Sequence, residues 1–400
     1  MRIVVIGGTG FIGTRVAARL AAEHEVTVVH RGRRKPALEA ARYPVRRLIA
    51  DRDRLAEHSA AFRSDPPDVV IDMIAGDDRQ ARAVVNTFRG IARRLVTISS
   101  MDVYRSYEIA QGLEGPLEPV PLAEDSPLRT SRFLFRSLPA GAVPFDWVTP
   151  DYEKIIVEEA ARSAPELPAT ILRLPMVYGP GDPLHRFHPF FKRMDDGRPV
   201  ILLEETWANW RGCMGYVEDV AAAISLAATH PATAGRTYNI SEPDVLRWAG
   251  WARAVGEAAG WRGRIMTLPR DAVPRHLVPS FNTAQHWTAD SSRIRRELGY
   301  RETISRPEAL ARTVAWERGH PAPFDAAAFD YAAEDGAITA GLCESCVHSQ
   351  KITSDRSSRF YRCGLAAGNS TFQKYPRLPV VSCRGYELSS GPQGSATASR

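Results

Sequence analysis

The sequence predicts an α/β protein with a doubly wound parallel sheet, a smaller C-terminal lobe and a small cysteine-rich module. Three observations lead to this prediction. Up to about residue 320, short β-branched runs alternate with longer segments rich in Ala, Arg and Glu, the order expected of parallel strands connected by helices. A glycine-rich turn follows the first of these runs, where a strand would pass into a helix. Four of the five cysteines lie between residues 343 and 383, which indicates a separate unit.

Length and composition indicate a globular chain with more than one domain. The 400 residues exceed one ordinary domain, and 44% hydrophobic with 24% charged residues is typical of a chain with a large core. The net charge of +6 is spread along the chain, which favours small anionic ligands over nucleic acid, since nucleic-acid binding usually needs a concentrated basic stripe. No apolar run approaches about 18 residues and no leader precedes the first strand, so we expect a cytoplasmic protein without a membrane span.

The first 180 residues are expected to form the main sheet and its helices. Helices are predicted at Phe11–Glu23, after the first strand, and at Arg79–Ile91, after the fourth. Residues 105–146 have many Pro, Leu and Ser without a clear period, so they are expected to form a long surface excursion. The predicted strands are Arg2–Ile6, Val26–His30, Val45–Ile49, Val69–Met73, Arg94–Ser99 and Ala169–Leu174.

The rest of the chain is expected to form three further parts. Short runs at Val200–Leu203, Thr237–Ile240 and Ile265–Leu268 suggest a smaller lobe built onto the sheet. Residues 389–400 lack anything to bury and are expected to be disordered. The predicted organisation is a domain at 1–318, with a cofactor part at about 1–180 and a substrate lobe at about 181–318, a linker at 319–338 and the four-cysteine module at 339–388.

The strongest functional signal is the segment from Gly7 to Gly13, which lies directly between a predicted strand and a predicted helix. In a Rossmann-type fold, Gly7 would permit a tight turn, Gly10 would let backbone amides approach a pyrophosphate, and Gly13 would let the helix pack against the strand. The phosphates would then lie at the helix N-terminus, where unpaired amides favour anions. The alternative is an ordinary glycine-rich turn without a ligand.

Several segments resemble the extended short-chain dehydrogenase/reductase family, the NAD-dependent epimerases and dehydratases. The Gly-x-x-Gly-x-x-Gly spacing is similar to the family's fingerprint, SSMDVY at 99–104 to its fifth strand, LRLPMVYGPGD at 172–182 to its sixth, and YVEDVAAAI at 216–224 to its Asp-led helix. The resemblance covers roughly residues 1–318. It implies a Rossmann-type fold with a C-terminal substrate lobe, a dinucleotide cofactor, a small-molecule substrate and, by analogy, a homodimer.

The cofactor is expected to be NADP in preference to NAD. The second predicted strand ends at His30, and Arg31 and Arg33 follow where NAD enzymes carry an acid for the ribose 2′-hydroxyl. Guanidinium groups attract a 2′-phosphate by paired hydrogen bonds, and the alternative is that these arginines merely form a solvated turn. The resemblance further implies that Asp51 and Arg52 flank the adenine. It assigns the rest of the cofactor path to Phe11, Ile12, Ile74, Ala75, Ser99, Lys154, Pro175 and Val177.

The resemblance also implies a catalytic Ser, Tyr and Lys, but this chain departs from the pattern. In the family the Tyr precedes the Lys by four residues on one helix, whereas here Tyr152 precedes Lys154 by two. Positions two apart on a helix point about 200° from each other, so Tyr152 and Lys154 could act together only if the helix began between them. Ser100 matches the catalytic Ser by its position four residues before Tyr104. Each has a plainer alternative: Ser100 as a strand-end hydroxyl, Tyr152 as packing at a helix start, Lys154 as a solvated residue.

The cysteine cluster predicts a metal-binding module. Two residues separate Cys343 from Cys346, sixteen separate Cys346 from Cys363, and nineteen separate Cys363 from Cys383. Four thiolates suit zinc, and a segment this short needs a staple to fold. An iron–sulfur cluster is a weaker alternative, followed by disulfides or free thiols. Such a module could also bind a protein partner, and Cys213, far from the cluster, is expected to be a small core residue.

These observations lead to two hypotheses of different classes. The first is an NADP-dependent oxidoreductase or epimerase that acts by hydride transfer on a sugar-like or other hydroxyl-bearing small molecule. The second is a catalytically degenerate cofactor-binding protein that senses redox state or binds a partner or RNA. They differ in whether a phenol or another acid lies within reach of the cofactor's reactive carbon beside Lys154.

Overall fold

A computed structural model describes residues 1–32, 44–136, 148–323, 325–354 and 359–389. The chain divides into two compact units, each formed from several segments. Unit 1 contains residues 1–186, 211–246 and 284–321. Unit 2 contains residues 187–210, 247–283 and 322–400.

The described residues form thirteen strands and twelve helices. The strands are β1 Arg2–Ile6, β2 Glu25–His30, β3 Arg46–Ile49, β4 Val69–Asp72, β5 Arg94–Ser100, β6 Ala169–Leu174, β7 Met176–Tyr178, β8 Val200–Glu204, β9 Met214–Tyr216, β10 Thr237–Asn239, β11 Arg264–Leu268, β12 Ser349–Thr353 and β13 Arg359–Cys363. The helices are α1 Gly13–Leu20, α2 Ser59–Ser64, α3 Asp78–Phe88, α4 Arg105–Ala110, α5 Lys154–Ala161, α6 His188–Asp195, α7 Glu205–Asn209, α8 Val217–Thr229, α9 Trp248–Ala259, α10 Ser292–Leu298, α11 Arg306–Gly319 and α12 Tyr331–Ala340.

Unit 1 is built on a seven-stranded sheet of the described residues, in the order β10-β6-β5-β4-β1-β2-β3. Every pair in it is parallel, so the carboxyl ends of its strands share one edge. All residues of β4 and β6 are buried, as expected where helices cover both faces of a parallel sheet. The predicted doubly wound parallel sheet is therefore confirmed, and the six predicted strands occur within one residue of their expected ends.

Three sequence expectations differ from the observed elements. The run at Thr237–Ile240, expected in the smaller lobe, forms β10, because Thr237–Asn239 pairs with Ile171–Arg173 of the main sheet. Helix α12 lies largely within residues 319–338, expected to be a linker, and Asp330 caps it by accepting from the backbone of Ala333. The predicted helix at Phe11–Glu23 begins only at Gly13, since the preceding residues form the glycine-rich turn.

Unit 2 combines the parallel pair β8 and β11 with helices and a β-hairpin. Leu202 of β8 and Leu268 of β11 pack in one core with Ala337 of α12 and Leu342. Strands β12 and β13 form an antiparallel hairpin between Cys346 and Cys363. Among the described residues, no helix has the length and apolar character needed to span a membrane. Residues 137–146 of the expected surface excursion and 390–400 of the expected tail lie outside the described residues.

We predict that the buried pair of Arg173 and Glu158 is essential to the stability of unit 1. Arg173 of β6 donates to both carboxylate oxygens of Glu158 at 2.9 and 2.8 Å, and both side chains are buried. Arg173→Leu leaves the buried carboxylate with only the Ser99 hydroxyl and the partly exposed Arg162 at 3.4 Å, and should lower the free energy of unfolding by about 3–5 kcal/mol in urea titrations. The matched control is Arg82→Leu, which breaks the exposed pair with Asp78 and should cost less than about 1 kcal/mol. Equal losses in the two variants would contradict this assignment.

Candidate active site

The glycine-rich turn has the backbone geometry of a phosphate-binding loop. Gly7 has a φ of +84°, and a Cβ there would meet Ile74 at 2.7 Å. A Cβ on Gly13 would lie 2.3 Å from the carbonyl oxygen of Gly7, so only glycine lets α1 start this close to β1. A Cβ on Gly10 would meet nothing nearer than that oxygen at 3.6 Å, which leaves its backbone open to an incoming group. These features fit a dinucleotide whose pyrophosphate lies against the start of α1.

The other residues of the expected cofactor path lie in unit 1. Ile74 lies against Gly7, and the backbone amides of Ile74 and Ala75 both donate to the carboxylate of Asp72 at 3.2 Å. Phe11 lies beside Gly181, because a Cβ on Gly181 would lie 3.5 Å from the ring of Phe11. Ile12 is the residue before α1, Pro175 follows β6, and Val177 is a buried residue of β7.

The residues expected at the adenine end differ in their exposure and in their hydrogen bonds. Arg31 is exposed directly after β2, while Arg33 lies outside the described residues. Asp51 is exposed and caps the turn that follows it by accepting from Asp53 at 3.0 Å. Arg52 is buried and donates to both oxygens of Asp72 at 3.3 and 3.1 Å. The guanidinium of Arg52 therefore holds β4 in place, and its contact with an adenine stays a prediction.

Lys154 is a buried cation at the first residue of α5. Its ammonium donates to the carbonyl oxygens of Ala75 at 2.5 Å and Ile98 at 2.9 Å. Two of its three donors are thus used by the ends of β4 and β5, and the third is available to a ligand. Burial lowers the pKa of Lys154 to about 8, against the opposing effect of the nearby carboxylates of Asp72 and Asp102. The alternative that Lys154 is a solvated helix residue is excluded, since Lys154 is 5% exposed.

Helix α5 begins between Tyr152 and Lys154, which is the condition under which the two can share a site. Glu153 precedes the helix and caps it, accepting from the backbone of Ile155 at 3.0 Å. Its carboxylate also receives two hydrogen bonds of 2.7 Å from Arg129, in a pair that is almost wholly buried. Tyr152 is thereby outside the helix, and its ring centroid lies 5.7 Å from the ammonium of Lys154.

Ser100 and Tyr152 meet at a third group, Asp102, which follows the end of β5. The phenol of Tyr152 donates to Oδ2 of Asp102 at 3.1 Å, and the backbone of Asp102 donates to the hydroxyl of Ser100 at 3.2 Å. The hydroxyl of Ser100 also lies near the Tyr152 phenol, where it weakly opposes the rise that burial causes in the pKa of Tyr152. The structure therefore brings Ser100, Tyr152 and Lys154 together, as the resemblance implies, with a carboxyl group added.

The electrostatics of this cluster are dominated by burial. Burial raises the pKa of Asp102, and the nearby charges of Arg129 and Lys154 only partly oppose it. Burial, then the negative charge of Asp102, raise the pKa of Tyr152 well above its usual value. The phenol beside an ionised Asp102 is consequently a very weak acid.

Two further hydroxyls near the cluster serve the fold. Ser99 donates to Glu158 at 2.6 Å, so its side chain is committed to the buried pair of Glu158 and Arg173. Tyr104 donates to Asn239 at 2.6 Å and accepts from Arg173 at 2.9 Å. Ser99 can therefore reach a cofactor only through its backbone.

Sequence reasoning missed three residues of the cluster: Asp102, Arg129 and Glu153. Asp102 stands inside the SSMDVY segment, where an acid between apolar residues at a strand end is an available signal. Arg129 comes from the long excursion, which has no periodicity to mark it. Glu153 has no signal of its own, because its role depends on that distant arginine.

The four cysteines are brought near one another by backbone pairing within unit 2. The β12–β13 hairpin pairs Ser349 with Cys363, and a separate bridge joins Cys346 to Leu388. Burial, followed by the charges of the other three thiols, raises the pKa of Cys343 to about 11. No group of three or more His, Cys, Asp or Glu in the described ranges has the arrangement of a metal site. Cys213 is a buried core residue, as expected.

A model of the NAD dependent epimerase/dehydratase family matches residues 3–107 and 152–241. The chain is an NAD(P)-dependent enzyme. The first matched segment contains the glycine-rich turn and Ser100, and the second starts at Tyr152. A relative of this enzyme, 2'-dehydrokanamycin reductase from Streptomyces kanamyceticus, is 24% identical over 285 residues, which cover 69% of this chain and 72% of the relative.

Solved structures share the fold of this enzyme. UDP-glucose 4-epimerase from Bifidobacterium longum, in complex with NAD+ and UDP, has a TM-score of 0.58 and 18% identity, covering 81% of this chain and 100% of that one. UDP-glucuronic acid 4-epimerase from Bacillus cereus, in complex with UDP-glucuronic acid and NAD, has a TM-score of 0.57 and 18% identity, covering 80% and 99%. At these identities the likeness establishes the fold alone.

We predict that two glycines of the turn respond differently to alanine. Gly10→Ala should weaken dinucleotide binding at least about tenfold while leaving the melting temperature unchanged, because its Cβ meets no atom of the protein closely. Gly13→Ala should lower both the dinucleotide affinity and the melting temperature, since its Cβ would overlap the Gly7 carbonyl. Gly319→Ala, at the open end of α11, is the control for both measurements. Normal dinucleotide affinity in Gly10→Ala would exclude this turn as the phosphate site.

Proposed function

We propose that this enzyme is an NADP-dependent oxidoreductase or epimerase that acts by hydride transfer on a sugar-like or other hydroxyl-bearing small molecule. The observation that carries the proposal is the convergence of Ser100, Tyr152 and Lys154 at the carboxyl ends of β4 and β5. Ligands of open parallel sheets bind at this edge. The glycine-rich turn lies at the same edge, at the end of β1.

The roles follow from the chemistry of each group. The nicotinamide, when bound, supplies or accepts the hydride. The free donor of the Lys154 ammonium would hold a ribose hydroxyl, and its positive charge would stabilise negative charge that develops nearby. Ser100 is the half-buried member of its cluster, so its hydroxyl would orient the reacting oxygen of the substrate. Tyr152 would donate or accept the proton that accompanies the hydride.

The class of substrate is inferred from the relatives. The curated relative is named for reducing 2'-dehydrokanamycin, and the two solved epimerases are named for UDP-sugars. The feature common to these compounds is a sugar carbon that carries a hydroxyl or carbonyl group. We therefore expect a hydroxyl-bearing or carbonyl-bearing sugar derivative as the substrate here.

The first experiment is a titration of the purified enzyme with NADPH and NADH, followed by fluorescence. We expect NADPH to bind more tightly, and Arg31→Ala to reduce that preference, because its guanidinium follows β2 where a 2′-phosphate would lie. Lys154→Ala should weaken the binding of both cofactors. NADPH oxidation with a panel of keto sugars then tests turnover. Binding of neither cofactor would refute the proposal, and tight binding without turnover would favour the redox-sensing or partner-binding alternative.

A second proposal concerns the module at residues 339–388, which we infer to bind zinc through Cys343, Cys346, Cys363 and Cys383. The backbone pairing of the hairpin and of Cys346 with Leu388 supports it, because three separate segments bring the cysteines into one small region. Because the cysteines do not have the arrangement of a metal site among the described residues, zinc would require the four thiols to lose their protons and to move to about 2.3 Å from the metal.

Metal analysis of the purified full chain tests the zinc proposal. We expect about one zinc ion per chain, from one four-thiolate site, and its loss in Cys346→Ser. Cys213→Ser is the matched control, since Cys213 is buried in the core of unit 1 and should leave the metal content unchanged. Iron with sulfide would favour a cluster in its place, and absence of any metal would refute the proposal.

A further inference from the structure

We propose that Asp102 serves as the proton reservoir of the active site and acts through Tyr152. In carbonyl reduction, the Tyr152 phenol gives its proton to the substrate oxygen and takes another from the Asp102 carboxyl. In alcohol oxidation the two transfers are reversed. Asp102 is on this view a positioning residue that never touches substrate, and the inference rests on the proposed function.

The first support is the geometry of the carboxyl group. Oδ2 of Asp102 accepts from the Tyr152 phenol at 3.1 Å, while Oδ1 is buried and has no hydrogen-bond partner among the described residues. An ionised carboxylate needs hydrogen bonds at both oxygens, so an ionised Asp102 would leave one charged oxygen unpaired in the interior. A neutral carboxyl group avoids most of that cost.

The second support is the set of groups that face Asp102. Ser100 at the end of β5, Tyr107 of α4, Tyr152 before α5 and Lys154 of α5 all surround it. The remaining cation, Arg129, already pairs with Glu153 through two hydrogen bonds. Lys154 is likewise held by two backbone carbonyls. The surroundings therefore offer no cation dedicated to Asp102, in agreement with the raised pKa of its carboxyl group.

The third support is the direction in which the Tyr152 proton points. When Asp102 is ionised, the phenolic proton is held towards the carboxylate and is turned away from any substrate. When Asp102 is neutral, its carboxyl can donate to the phenolic oxygen, which frees the phenolic proton. The half-buried hydroxyl of Ser100 lies beside this phenol, so the freed proton would face the substrate oxygen that Ser100 orients.

The transfers balance in both directions. In reduction, the hydride from NADPH forms the new C–H bond, and the π electrons of the carbonyl bond move to its oxygen. That oxygen takes the phenolic proton as the carboxyl proton moves to the phenolic oxygen. The products are the alcohol, NADP+, an intact Tyr152 phenol and the Asp102 carboxylate, which regains its proton from solvent before the next turnover.

The proposal fixes the sign of a pH dependence. Reduction requires the protonated form of Asp102, so the rate is present below the pKa of its carboxyl group and is lost as pH rises through it. Because burial raises that pKa, the loss should begin at a higher pH than for an ordinary aspartate. Oxidation requires the carboxylate and should show the opposite dependence.

The test compares the wild-type enzyme with Asp102→Asn and Asp102→Glu, using the keto sugar with the highest turnover in the NADPH assay. We expect Asp102→Asn to lower kcat about 10²-fold and to abolish the fall of kcat with pH, with the Kd for NADPH changed less than about threefold. Asp102→Glu should recover part of kcat together with the pH dependence. Wild-type kcat in Asp102→Asn, or a lower kcat with an unchanged pH profile, would overturn the proposal.

A second measurement does not require a substrate. The wild-type enzyme at neutral pH should show the infrared band of a protonated carboxyl group, and the band should be absent in Asp102→Asn. If this band is present but no turnover is found, the proposed function is contradicted, whereas the protonated state of Asp102 is established. If the band is absent in the wild-type enzyme, the proposal that Asp102 is a proton reservoir is refuted, whatever the activity.

Discussion

The buried pair of Arg129 and Glu153 determines where helix α5 begins, and the active site depends on that position. Glu153 can cap the helix only because Arg129 holds its carboxylate and neutralises its charge. The helix therefore starts at Lys154 and leaves Tyr152 in the extended segment before it. A start one turn earlier would put these two side chains on different helix faces.

The position of α5 in turn links the sheet to the site. Lys154 donates to carbonyl oxygens at the ends of both β4 and β5, so one ammonium joins two strands and a helix. One turn along the same helix, Glu158 binds Arg173 of β6 and Ser99 of β5. The face of α5 that carries Lys154 is thus also its packing face, so the candidate site is held by the same contacts as the core.

Sequence patterns were sufficient for the elements whose causes are local. Strands β1 and β6 match their predicted bounds because each is a short, largely apolar run that ends at a glycine or a proline, and the glycine-rich turn was recognised from the spacing of its three glycines. The start of α5 could not be predicted, since it depends on Arg129, 24 residues earlier in a segment without periodicity. The chemistry of Asp102 depends on its burial, which the sequence does not display. The pairing of Thr237–Asn239 with the main sheet depends on tertiary contacts, which local sequence patterns do not encode.

The origin of Arg129 in a long surface excursion has a consequence for how this enzyme can diverge. Surface connections usually accept insertions and deletions freely, because little depends on their path. Here the connection carries the partner of the residue that caps α5, and Glu108 of α4 fixes its course by accepting from Thr130 and Ser131. A change of length between Glu108 and Arg129 would move Arg129 away from Glu153, and with it the cap of α5 that leaves Tyr152 outside the helix. The length of this part of the loop is therefore constrained by the position at which α5 begins.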